Sequence, residues 1–224
     1  FVKAFTVNIQ FGAILSVVVL YWKRFFQSID FYWKLLIAVV PALVLGFLFS
    51  EKIDKLLDDV TVVAVMLVLG GILMLFVDKW FNKTNKDQTM DWKRSLKIGF
   101  YQCIAMIPGV SRSMASIVGG MSTKLTRKNA AEFSFFLAVP TMAAASGYKL
   151  LKLVMDPAGK SMLSDNLLTL LIGNLVAFVV AMAAIKFFIS FLTKYGFKAF
   201  GYYRIVVGLA ILLLLFLGVD LNIL

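Results

Sequence analysis

Histidine is absent from these 224 residues and cysteine occurs once, as Cys103. Without imidazole the chain lacks the side chain that most often serves as neutral-pH base, proton relay or metal ligand. A single thiol forms no intrachain disulfide. Charge is also scarce, at 16% of residues against about 25% in an ordinary soluble domain. Acid is scarcer than base, 12 residues against 23, for a formal charge of +11. The remainder is apolar: 61% of the chain is hydrophobic. Apolar runs approaching the roughly 20 residues that cross a bilayer recur from near the start to the end. A soluble globule is excluded, and the bilayer is the solvent. In a soluble chain the surplus of base would point to nucleic acid; here it points to cytoplasmic loops and anionic headgroups, and no nucleic-acid partner is expected. The chain begins Phe1-Val2-Lys3 with neither an initiator Met nor a signal-peptide pattern, so further residues are expected before it.

The apolar runs predict helices over about 5–22, 35–49 (with Pro41 and Gly46 inside) and 60–77. Residues 79–97 are the longest polar stretch and read as a cytoplasmic linker. A broken segment follows, from Ile98 to Pro108, through Gly109-Val110-Ser111-Arg112-Ser113, and on from Met114 to Thr123. Neither arm is long enough to span a bilayer. Further runs cover about 132–148, 167–192 and 203–219. The expected fold is an all-α, polytopic integral membrane protein with six full spans plus one re-entrant segment, 98–123.

Charge decides between re-entry and crossing. If 98–123 returns to its own side, the loops 23–34, 79–97, 124–131 and 193–204 share one face and carry 15 Lys plus Arg against 6 opposite; if it crosses, the split is 12 against 9. Cytoplasmic loops are enriched in Lys and Arg, so re-entry from the cytoplasm is expected, with residue 1 and Asp220 outside. The order after the linker is then hairpin and three spans, and before it three spans starting from the opposite face. This is the pattern of an inverted-topology repeat, with a site near the midplane between broken helices. The single membrane domain 1–224 divides into a first repeat 1–78, the linker 79–97 and a second repeat 98–224. Weak echoes join the halves: Phe5-Thr6 with Phe133-Ser134, and Ile37-Ala38-x-x-x-Ala42 with Ile172-Gly173-x-x-x-Ala177. The symmetry places the first repeat's own hairpin before residue 1.

The strongest chemical signal is Pro108-Gly109-Val110-Ser111-Arg112-Ser113-Met114-Ala115-Ser116, inside an otherwise apolar stretch. An arginine at membrane depth costs at least a few kcal/mol and needs a partner or a wet cavity. Pro108 and Gly109 break the helix, and the next helix starts near Ser111, with free N–H groups and a positive dipole end at the break. Three hydroxyls, Ser111, Ser113 and Ser116, and a guanidinium suited to bidentate phosphate contact complete a phosphate cradle. The plainer alternative is that Ser111 caps a helix and Arg112 snorkels to headgroups. Asn8, Gln10 and Asn174 either line a cavity or bond between helices, the second being commoner. Glu132, four residues after Lys128, serves a cap, an ion pair or catalysis. Lys186 snorkels, Cys103 and the ten Met residues pack, and Tyr21, Trp22, Trp33, Trp80, Trp92, Tyr202 and Tyr203 form interfacial belts.

Four motifs together carry a resemblance: Pro108-Gly-x-Ser-Arg-Ser113, Ala131-Glu132-Phe133-Ser134-Phe135-x-Leu137-Ala138-Val139-Pro140, Ile9-Gln10-x-Gly12-x-Ile14-Leu15 and Tyr203-Arg204. In this order along the whole chain they resemble the bacterial undecaprenyl-diphosphatase (bacitracin-resistance) family. The resemblance implies a hydrolase of the bacterial inner membrane that converts undecaprenyl diphosphate to undecaprenyl phosphate, recycling the carrier lipid for cell-wall (peptidoglycan) synthesis. It implies Arg112 and Ser111 as catalytic residues, Arg112 being the diphosphate clamp, and Gly109, Ser113 and Ser116 as substrate-binding residues. The sequence departs from the family pattern at Met114, where the family has Gly, and at Ser116, where it has Thr. The family's other motif, Glu-rich and ending Pro-Val-Ser-Ser-Thr-Gly-His, is absent and expected upstream of Phe1. That segment would hold the ligands of a divalent cation, Mg or Ca, with no metal ligand in residues 1–224, and also the nucleophile and base. A chain starting at Phe1 is therefore expected to be inactive alone. Partners are the polyprenyl diphosphate lipid and the bilayer, and the reading is compatible with a homodimer. The competing function is a transporter or flippase for a phosphorylated polyprenyl lipid, since inverted repeats with broken helices are transporter architecture.

Overall fold

The computed structural model describes residues 2–25, 29–49, 51, 53, 56 and 59–219. Phe1, Lys52, Lys55 and Asp220, which entered the sidedness expectation, lie outside the described residues. The described chain is all-helical: α1 Val2–Leu20, α2 Trp22–Phe25, α3 Ile29–Leu48, α4 Val60–Trp80, α5 Trp92–Cys103, a 3-10 turn Ile104–Met106, α6 Arg112–Ser122, α7 Arg127–Met155, α8 Pro157–Asp165, α9 Leu167–Tyr195 and α10 Lys198–Phe216. Four of these, α3, α4, α9 and α10, are long and apolar enough to cross a membrane. The other two expected spans fall short in different ways. The apolar part of α1, Phe5–Leu20, is shorter; α7 has 29 residues, but Ser134, Thr141, Ser146 and its lysines dilute its hydropathy.

By contact the chain forms two compact units. The first comprises Phe1–Leu35 and Phe135–Ser190. Its helices are joined by small and polar residues. Gly12 of α1 abuts the Asn174 backbone so closely that a Cβ there would overlap the Asn174 carbonyl, and the Gly12 N–H donates to Asn174 Oδ1 at 2.9 Å. The Asn174 amide donates in turn to Asn8 Oδ1 and to Leu170 O, and Ser146 Oγ donates to Gln10 Oε1. Edge-to-face pairs Tyr21–Phe136 and Phe31–Phe136, with centroids 5.0 and 5.3 Å apart, close the aromatic side. Of the two roles open to Asn8, Gln10 and Asn174, the structure takes the interhelical bond.

The second unit comprises Leu36–Ser134 and Phe191–Leu224. Its largest helix contact is between α4 and α10, where lipid offers no hydrophobic drive and close approach must come from small residues. A Cβ on Gly71 would lie 2.8 Å from Gly201 O, and one on Gly208 2.9 Å from Ala64 O. Later residues of α10 thus meet earlier residues of α4, so the pair is antiparallel. At the end of α4 the Asp78 carboxylate accepts from Arg127 Nε at 2.9 Å and Phe197 N at 2.8 Å, tying the starts of α7 and α10 to one acid.

Helices α5 and α6 form a hairpin. Asp91 caps α5 by accepting from Arg94 N at 2.7 Å. In the polar stretch before it, the Asp87 carboxylate accepts from the Thr89 hydroxyl and N–H, which with Arg94 holds its pKa below the ordinary aspartate value. The arms have 12 and 11 residues, so each is roughly 16–18 Å long, about half a hydrocarbon core. They lie against each other at Gly119, where a Cβ would come within 2.8 Å of Tyr101 Cβ and 3.2 Å of Ile98 Cα. The outer ends meet as well. Asn85 N donates to Lys124 O at 3.0 Å, while Gln88 Oε1 accepts from Thr126 N and Asn129 Nδ2.

Candidate functional site

The break between the hairpin arms is a type II turn. Val110 N donates to Ile107 O at 3.1 Å, Pro108 sits at the first central position and Gly109 at the second with φ +84°. Only glycine fits: a Cβ at 109 would overlap Val63 O and stand 3.0 Å from Met66 Cβ, both on α4. The chain then passes through Ser111, extended at φ −74° and ψ 120°, into α6 at Arg112. Ser111 Oγ accepts from Met114 N at 3.2 Å, which makes it the N-cap. The N–H groups of Ser111, Arg112 and Ser113 find no acceptor among the described residues. Open donors at the positive end of a helix offer a seat that would suit an anion.

The Arg112 guanidinium meets α7. Its Nη1 approaches Ser134 O on α7 at 3.4 Å, a long bond, and no carboxylate is within ion-pair distance among the described residues. Ser113 presents a hydroxyl with no partner among the described residues. Ser116 is different: it is fully buried, and its hydroxyl bonds to Arg112 O at 2.9 Å, Ser113 O at 3.2 Å and Ser134 Oγ at 2.7 Å. Gly109, Ser111, Arg112 and Ser113 are therefore brought to one open break, while Ser116 lies beneath it, locking the first turn of α6 to α7. Met114 is buried, at 7% exposure.

Two residues that the sequence reading used otherwise belong to this geometry. Ser134 anchors both Arg112 and Ser116. Arg204, counted above among loop charges, lies in the second turn of α10 and donates through Nη2 to Gly109 O. The signal that could have found it is the absence of any Asp or Glu between Asp165 and Asp220, which leaves an intrahelical arginine with no nearby acid in sequence. Glu132 makes no ion pair with Lys128 among the described residues. A cavity of about 290 Å³ lies at the open end of the hairpin, lined by Asn82, Thr84, Leu125, Thr126 and Arg127 among others. Its arginine is already paired with Asp78. Among the described residues no group of three or more His, Cys, Asp or Glu could hold a metal ion.

Comparison with known proteins agrees with the motifs. The family model described as bacitracin resistance protein BacA matches residues 1–210. Undecaprenyl-diphosphatase of Flavobacterium psychrophilum is 60% identical over 216 residues, covering 96% of this chain and 82% of that protein. The undecaprenyl-diphosphatase of Flavobacterium johnsoniae is 59% identical over 219 residues, with 96% and 82% coverage. That of Porphyromonas gingivalis is 55% identical over 240 aligned positions, covering 99% of this chain and 85% of that protein.

Proposed function

This chain belongs to the bacitracin resistance protein BacA family, and from that premise we propose that it is a membrane phosphatase that hydrolyses undecaprenyl diphosphate to undecaprenyl phosphate and inorganic phosphate. The observation that carries the proposal is the Arg112 guanidinium, which meets no carboxylate among the described residues, beside three open N–H groups at the start of α6. A guanidinium in a membrane without a carboxylate calls for an anion, and a diphosphate is the anion its planar fork fits. Arg112 grips two non-bridging oxygens, and the Ser111, Arg112 and Ser113 N–H groups accept the negative charge that spreads over the phosphoryl oxygens as the phosphoanhydride bond breaks. Ser111, which accepts from Met114 N, keeps its O–H free to donate to the same oxygens. Gly109 lets the backbone approach, Ser113 adds a donor, and Ser116 holds the turn from below.

Phosphatases of this kind commonly use a divalent cation, which neutralises diphosphate charge. Among the described residues no group of three or more His, Cys, Asp or Glu fits one. The test is release of inorganic phosphate from undecaprenyl diphosphate in detergent micelles by the purified protein as its host makes it. Release at enzymatic rates is expected; transport of the lipid without release would make the protein a carrier instead.

The setting proposed for this chemistry is the bacterial inner membrane, crossed six times, with 98–123 as a re-entrant hairpin opening to the cytoplasm and repeats 1–78 and 98–224 inverted about the linker 79–97. Two features support it. The hairpin's outer ends are hydrogen-bonded to each other. The antiparallel α4–α10 pair has the parity that re-entry requires, because a single crossing by 98–123 would leave the third and sixth spans parallel. With six spans and re-entry, cysteines placed at Lys97 and Thr123 label from the same, cytoplasmic, face. Labelling from opposite faces overturns the topology.

A further inference from the structure

Arg204 is the second arginine of this unit that lacks an acid. No carboxylate lies within ion-pair distance among the described residues, and its Nε is buried with no hydrogen-bond partner. Its guanidinium lies over Gly70 of α4, where a Cβ would stand 3.3 Å from Nη2; the missing side chain makes the notch that admits it. Its one hydrogen bond among the described residues goes to the Gly109 carbonyl, at the break where the anion seat begins.

That bond acts on a single peptide plane. The Gly109–Val110 peptide has its N–H end fixed by the turn, through Val110 N to Ile107 O, and its carbonyl end fixed by Arg204. The next N–H along the chain is that of Ser111, the first open donor of the seat. Rotation of this plane would swing the Ser111, Arg112 and Ser113 N–H groups together. On its other side Gly109 is already against Val63 O. Since α4 and α10 are locked together at Gly71 and Gly201, the turn is held between two fixed elements.

We propose that Arg204 is a positioning residue of the phosphate cradle, fixing the Gly109 carbonyl and through it the direction of the donor groups at the start of α6. The inference rests on the phosphatase reading above. Its one hydrogen bond among the described residues runs from Nη2 to Gly109 O, and its Nε is buried, so the role assigned to it is on the turn rather than on the diphosphate.

The experiment is steady-state phosphate release from undecaprenyl diphosphate by wild type and by Arg204→Met, Arg204→Lys and Gly70→Val, each normalised to folded protein. Misaiming donors by about 1 Å costs up to 10²-fold in rate, so Arg204→Met lowers kcat by about tenfold or more with KM within about twofold. Arg204→Lys recovers most of that loss, because one carbonyl needs one donor. Gly70→Val reproduces the loss with Arg204 intact, by filling the notch, and it gives the answer with the Lys variant if Arg204→Met does not fold. Undiminished kcat in Arg204→Met, a raised KM with normal kcat, or a Lys variant no better than Met each overturn the inference while leaving the phosphatase reading intact. If wild type itself releases no phosphate, the phosphatase reading falls and this inference with it.

Discussion

The two compact units handle polar groups within their helices in opposite ways. In the first, Asn8, Asn174, Gln10 and Ser146 are hydrogen-bonded to one another across helices. In the second, Arg112 and Arg204 face single backbone carbonyls and no acid among the described residues, and three backbone N–H groups stay open. An unsatisfied polar group in a bilayer costs several kcal/mol. The first recovers that cost inside the protein and so reads as structural glue. The second leaves it outstanding, which fits the proposed site, where a ligand would supply the missing partner. The informative quantity is therefore not polarity in a membrane helix but polarity left without a partner.

The sharpest way to break this contrast is to remove the fork of Arg112 while keeping its charge. Arg112→Lys is expected to insert and fold but to lose roughly 10²–10³ in kcat, the usual cost of one preorganised charge-stabilising donor. A lysine offers a point charge where two oxygens must be gripped at once. The check is phosphate release against folded protein measured by size-exclusion monodispersity and thermal unfolding in detergent. Near wild-type turnover would mean that Arg112 only needs charge, as a snorkelling side chain does, and the unit-two arrangement would lose its functional meaning. The opposite behaviour is expected at Arg204, where lysine substitutes well.

Much of this was legible in the sequence. The helix break at Pro108-Gly109, the cap at Ser111 and the convergence of Gly109, Ser111, Arg112 and Ser113 follow from local rules, because a proline, a positive-φ glycine and an N-cap act within a few residues of themselves. Element ends were less legible. Helix α3 starts at Ile29 rather than Leu35, because Asp30 suits the first turn and pairs with Lys34 one turn on. Helix α7 continues through Pro140, with the Thr141 hydroxyl bonding back to Leu137 O at 2.8 Å. Arg204 was misplaced for the same reason: α10 starts at Lys198, ahead of the apolar run, since aromatic and basic residues at an interface are as helical as the leucines that follow. Its contact with Gly109 joins residues 95 apart, which no local pattern encodes. Ser134 was visible only as part of a motif; that its carbonyl and hydroxyl serve Arg112 and Ser116 depends on where α7 passes α6.

The smaller test concerns the glue. Asn174→Leu removes the donor to Asn8 and the acceptor for Gly12 N, and a leucine of similar size fills the space without replacing either bond. Interhelical bonds in membranes contribute on average about 0.6 kcal/mol and at most about 1.7 kcal/mol each. Asn8 is left with an unpaired amide oxygen, which pushes the total toward the upper part of that range, while Gly12 still packs on the α9 backbone through contacts that the side chain does not make. The expected outcome is a modest drop in the detergent unfolding midpoint, with kcat and KM for undecaprenyl diphosphate unchanged when normalised to folded protein. If Asn174 were instead a cavity-lining residue that meets the lipid, the pattern would invert: unfolding would stay where it is and KM would rise. That inversion would show that a fully bonded polar cluster in this protein can also be a site, and the rule drawn from the two units would not hold.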